Sequence, residues 1–140
     1  FALEGEQTWT GYSVLFQHWL RAGVAREIRE RLQLVAAMVP ELNGAEYINA
    51  LREQAWAVFT DNLYDQAPAG DLSDFSFDVT DSAAPHYPLP IRWYRSFAAL
   101  RSLHDRLQDV DAAEVALLFG PLIDSVRAMT TRTGAAYADR

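Results

Sequence analysis

Apolar positions recur at steps of three and four along most of this chain. From Thr8 to Val39 the series is Trp9, Tyr12, Phe16, Trp19, Val24, Ile28, Leu32, Val35 and Val39, one face of an α-helix. Gly23 interrupts it. Two arrangements fit. A helix can continue through Gly23, bent, at a cost of about 1 kcal/mol. Alternatively the helix ends there, with Val24 folded back on Trp19 in a Schellman turn. Recovery of the apolar face after the glycine favours one bent helix over residues 8–39, ended by Pro40.

A second stripe, Ile48, Leu51, Ala55, Val58, Phe59 and Leu63, widened by Trp56, predicts a helix over residues 44–64. Asn43 and Glu46 form a capping-box pair before it, with Leu42 and Tyr47 at the hydrophobic-staple positions. Trp93, Phe97, Leu100, His104 and Leu107 predict a third helix over residues 91–109. Val115, Leu118, Leu122, Val126 and Met129 predict a fourth over residues 112–133, begun by the pair Asp111 and Glu114 and kinked or restarted at Pro121. Helices with one apolar face must bury it against each other. The expected fold is therefore all-α: an antiparallel four-helix bundle, one domain spanning residues 1–140.

Residues 65–90 carry no helical period. This insert between the second and third helices is acidic, proline-rich and aromatic, and a loop of that length is usually functional or disordered. Phe75, Phe77 and Val79 alternate with Ser76 and Asp78, so any strand should be short and confined to residues 75–80. Pro85, Pro88 and Pro90 enforce extended backbone. Trp93 is expected to pack partly on the bundle and partly under the insert, against Phe75 and Phe77.

Composition removes several chemistries. All twelve basic residues are arginine and there is no cysteine. Lysine Schiff bases, P-loop lysines, thiol nucleophiles, disulfides and zinc-thiolate sites are thereby excluded. The missing lysine, with the many alanines, is the composition expected of a GC-rich genome and is given no functional reading. The net charge of −7 and the lack of a basic stripe argue against nucleic acid as a partner. Arg26, Arg29 and Arg31 interleave with Glu27 and Glu30, which reads as a solvated helix face with pairs such as Glu27–Arg31. No apolar run approaches the roughly 20 residues of a bilayer span, so no direct membrane span is expected in this piece. The chain starts at Phe1, which suggests processing or excision from a longer protein.

Catalytic and metal motifs are sparse. His18 falls off the main stripe as a surface or boundary residue, and His104 falls on the apolar face as a core histidine. A di-iron bundle needs Glu-x-x-His, which is absent. No cofactor, haem or redox metal is expected, and no catalytic residue is assigned; an enzyme pairing His86 with Asp78 has nothing to fix its geometry. Asp71, Asp74, Asp78 and Asp81 recur every three or four residues and are weak calcium candidates, against a solvated acidic loop.

The densest mixture of aromatics, prolines and arginines is His86, Tyr87, Arg92, Trp93, Tyr94 and Arg95. Such residues are enriched at interface hot spots. The competing expectation is that the insert folds back and seals one end of the bundle, burying Phe75, Phe77 and Tyr87. The function expected is a non-catalytic binding module for another protein chain or a second copy of itself, acting through the insert and the start of the third helix. The alternative is a small-molecule sensor domain of a larger, membrane-anchored bacterial protein. Either fits a soluble domain in the cytoplasm or outside it.

Overall fold

The computed structural model describes residues 1–65, 75–94 and 111–138, with side chains to residue 131. It overturns the four-helix bundle. Among the described residues the order is α1 (Glu6–Arg21), α2 (Ala25–Arg29), β1 (Val35–Val39), α3 (Gly44–Asn62), β2 (Leu89–Arg92) and α4 (Ala112–Ala138). The two strands form a parallel sheet, and Ala2 pairs in parallel on the opposite side of β1. The chain therefore contains a β1–α3–β2 unit preceded by a one-residue bridge and two helices.

The 8–39 helix fails at Gly23, and the Schellman alternative holds. Gly23 adopts a left-handed φ of 74°. Gly23 N–H donates to Leu20 C=O at 3.1 Å and Val24 N–H to Trp19 C=O at 3.1 Å, the paired bonds of that turn. Beyond it the expected helix gives way to the five-residue α2 and then to β1. Val35 and Val39 are β-branched and sit in an apolar run paired on both sides, which is how a buried parallel strand reads. Steps of four between valines had mimicked a helical face.

The 44–64 helix survives as α3, whose Leu51, Ala55 and Phe59 are buried. They meet Ala2, Trp9, Leu34, Ala36 and Val39 in one cluster, and Phe16, Ala25, Leu63 and Tyr64 in a second. α1 contributes an aromatic row, with the rings of Tyr12, Phe16 and Trp19 in tilted contact at 5.5–5.7 Å. The 91–109 helix does not begin where expected: Leu89–Arg92 is strand, and residues 95–110, including His104 and Arg95, lie outside the described residues. The expectation that strand would be confined to residues 75–80 also fails: that stretch forms no strand and ends in a turn, and the strands are Val35–Val39 and Leu89–Arg92. α4 runs through both Pro121 and Gly134.

The insert, where described, is a seal. Leu34 N–H donates to Pro85 C=O at 2.8 Å, Gln33 Nε2 to Tyr87 C=O at 2.7 Å, and Trp56 Nε1 to Phe77 C=O at 3.0 Å. Leu34 precedes β1 and Leu89 opens β2, so residues 75–88 close the N-terminal end of the sheet. Phe75 and Phe77 lie on the same side, both against Tyr64 at 5.6 and 5.3 Å. A latch holds them: Arg29 donates to both oxygens of Asp65 at 2.8 and 3.0 Å and lies over the Phe75 ring at 4.6 Å. Asp65 Oδ2 also accepts Phe75 N–H at 2.9 Å. Arg29 is thus a packed residue and not part of a solvated face. The Glu27–Arg31 bridge does not form among the described residues.

Candidate functional site

The site is built by an irregularity in β1. Ala36 is opposite Pro90 and Val39 opposite Arg92, so Ala37 and Met38 together face Ile91 alone. That extra residue is a β-bulge. Its effect is to turn Val39 inward with Ala36, both in the core, and to throw Met38 outward. Met38 takes φ of 57°, a left-handed conformation that a long side chain adopts only when the surroundings force it. Pro40, Glu41, Leu42 and Asn43 then turn the chain into α3. Asn43 also has a left-handed φ of 59°, which asparagine tolerates better than most residues. Gly44 lets the helix come close: a Cβ there would stand 3.3 Å from Val39 Cγ1.

Trp93 completes the surface. Its N–H donates to Val39 C=O at 2.8 Å, which pins it beside the end of β1. Met38, Pro40, Glu41, Leu42 and Trp93 line an open depression of about 390 Å³. Leu42 is 84% exposed, Met38 54% and Trp93 37%. This surface lies at the C-terminal ends of two parallel strands, the end at which open α/β sheets receive their ligands. The opposite end is the one sealed by residues 75–88.

The expected Trp93 packing under the insert is therefore wrong. Phe75 and Phe77 sit against Tyr64 and Arg29, and Trp93 faces Met38 and Leu42. The residues expected at the site divide. Arg92 is exposed at the end of β2. Tyr94 is half-buried and donates to Glu114 Oε1 at 2.5 Å, fastening α4 to the strand end. Its phenol is pushed up, first by that hydrogen bond, then by burial and by the charges of Glu114, Asp111 and Glu41. Tyr87 is half-buried under the Arg52 guanidinium, 5.8 Å from the ring centre. Arg95 lies outside the described residues.

His86 is not at the surface but fully buried. Tyr64 Oη lies 2.5 Å from its Nδ1, and its Nε2 faces Val79 C=O at 3.3 Å. A carbonyl accepts only, so Nε2 carries the proton and Tyr64 O–H donates to Nδ1. Burial pulls the His86 pKa below its ordinary value and pushes that of Tyr64 well up. His86 is held neutral as a core residue, with both nitrogens engaged and none left for Asp78. Asp78 Oδ1 instead accepts Thr80 N–H and Oγ1–H, and Asp81 Oδ1 accepts Ala83 N–H. Both are turn-forming aspartates. Asp71 and Asp74 lie outside the described residues, and no group of three metal-ligating side chains occurs among the described ones. No described helix is long and apolar enough to cross a membrane.

Met38 and Leu42 escaped the sequence reasoning. Leu42 had a role as a staple, but the staple does not form: Leu42 is exposed, and Tyr47 turns to donate to Ala37 C=O at 3.2 Å. The capping box fails too, since Asn43 makes no side-chain cap bond. Nothing in the run Val35–Val39 marks a bulge.

Comparison with family models, curated proteins and solved structures finds no match.

If the surface explains the strain at Met38, relieving the strain should favour stability over binding. Met38→Gly is expected to raise stability by up to about 1 kcal/mol, because glycine takes a left-handed φ without steric penalty. A chemical denaturation curve checks this. A lowered midpoint would mean that the Met38 side chain contributes more to the fold than its conformation costs.

Proposed function

We propose that this protein is a non-catalytic binding module whose interaction surface is the depression at the C-terminal ends of β1 and β2. The observation that carries the proposal is the convergence of Met38, Leu42 and Trp93, three large exposed apolar side chains, on one spot. Tryptophan is enriched among residues that dominate binding energy, and methionine among those enriched at interfaces. A bulged strand with a left-handed methionine holds part of that surface in place, and such strain clusters at functional sites. The depression is open to solvent on one side. A small ligand is usually buried over most of its surface, so this shape suits a side chain delivered by another protein.

The test is selection from a random dodecapeptide display library on the wild-type chain. Selected peptides should bind Trp93→Ala and Leu42→Ser about tenfold or more weakly. Leu42 is so exposed that Leu42→Ser should leave stability within about 0.5 kcal/mol. Peptides that bind wild type and both variants alike would move the site elsewhere.

A further inference from the structure

We propose that the occupant of this surface is a positively charged segment of another protein, carrying an apolar anchor flanked by arginine or lysine. The inference rests on the strand-end surface being the binding site. It is drawn from the charges that surround the apolar floor.

Glu41 lines the depression itself. Glu114 is held at the strand end by Tyr94, the residue after Trp93, through the 2.5 Å hydrogen bond. Asp111 sits one turn before it, fixed by Ala113 N–H to its Oδ1 at 2.9 Å. The fields of Glu41, Asp111 and Glu114 all reach the Tyr94 phenol. Arg92 is exposed at the end of β2, so among the described residues these four side chains carry a net charge of about −2 from three carboxylates and one guanidinium. Helix N-termini would ordinarily attract an anion to this end. Here α3 has Glu46 in its first turn and α4 has Glu114, which already offset those partial charges. The chain as a whole, these residues included, carries a charge of −7, which steers basic partners and repels acidic ones.

The same charges separate two occupants. A two-fold contact between copies places the same patch on both sides. Glu41, Asp111 and Glu114 would then face their own equivalents around the apolar centre, and like-charge contact of that kind suppresses pairing. A basic segment meets an apolar floor and a complementary rim instead.

The experiment reads the charge of the selected dodecapeptides and the salt dependence of one of them. Basic residues should flank an aromatic or aliphatic position in the recovered sequences. The best peptide, labelled and followed by fluorescence anisotropy, should bind about tenfold or more weakly at ~500 mM than at ~50 mM salt. Glu41→Gln should weaken it about two- to fivefold and flatten that salt dependence. Leu42→Ser should abolish most binding at either salt. Neutral or acidic peptides that still depend on Leu42 and Trp93 would overturn the inference about charge and leave the strand-end site standing. A concentration-dependent dimer that Leu42→Ser dissolves would overturn it in favour of a second copy. Failure to recover any peptide dependent on Leu42 or Trp93 would overturn both the occupant and the site.

Discussion

Phe59→Ala is expected to cost about 3–5 kcal/mol of stability, the range for deleting a buried aromatic ring. Phe59 sits on α3 where the helix layer meets the sealing loop. Its ring lies 5.1 Å from Phe16 of α1, 5.6 Å from Tyr64 and 6.4 Å from His86. Removing it opens a void that three segments share, and none of them can fill it without leaving the others. For a chain of this length the loss corresponds to a fall in melting temperature of roughly 10 °C or more. Amide exchange in residues 75–88 should speed up with it, because Phe75 and Phe77 rest on Tyr64 and Tyr64 rests on Phe59. A melting point within about 2 °C of wild type would contradict this packing.

Acidification should destabilise the fold in a window set by His86. Its folded pKa lies below the ordinary 6.5, because burial disfavours the imidazolium. Between that depressed value and 6.5 the unfolded chain binds a proton that the folded chain refuses. Stability therefore rises with pH across this window and falls as pH drops from about 6.5. Tyr64→Phe strands Nδ1 without a donor and should cost about 1–3 kcal/mol at neutral pH. Adding His86→Leu removes the titrating group, recovers part of the loss and flattens the profile above pH 5. Equilibrium denaturation between pH 5 and 8 measures all three chains. An unchanged pH profile in the double variant would place the titrating group elsewhere. Asp65 acts in a separate, lower window. The Arg29 guanidinium and the Phe75 N–H hold its carboxyl below the usual value, so its contribution is lost only as pH falls below about 3.8.

The helical stripe of α3 was legible because Leu51, Ala55 and Phe59 keep one phase over a long, uninterrupted segment. The start of α4 was legible from Asp111, which does cap the first turn. The alternation of Phe75 and Phe77 also carried true information, since both rings reach the same tyrosine. The β1–β2 pairing was not legible. A five-residue apolar run is ambiguous between helix and buried strand, and what decides it is a partner strand that begins fifty residues later. Pro90 was read as extended backbone leading into a helix at residue 91; a proline is tolerated on an edge strand, and Pro90 is exposed in the second strand of the sheet. His86 looked like a surface residue because it stands among prolines in an acidic loop. Its burial depends on Tyr64, far away in the sequence. Of the candidate site, Trp93 was named for its composition and Met38 was not, because a bulge is a property of two strands together.

The most direct test is hydrogen exchange on the wild-type chain with and without a selected basic dodecapeptide. Slowed exchange should appear at residues 38–43 and 91–94, with residues 75–88 unchanged. Protection confined to residues 75–88, or to α1, would contradict a binding surface at the C-terminal ends of the strands.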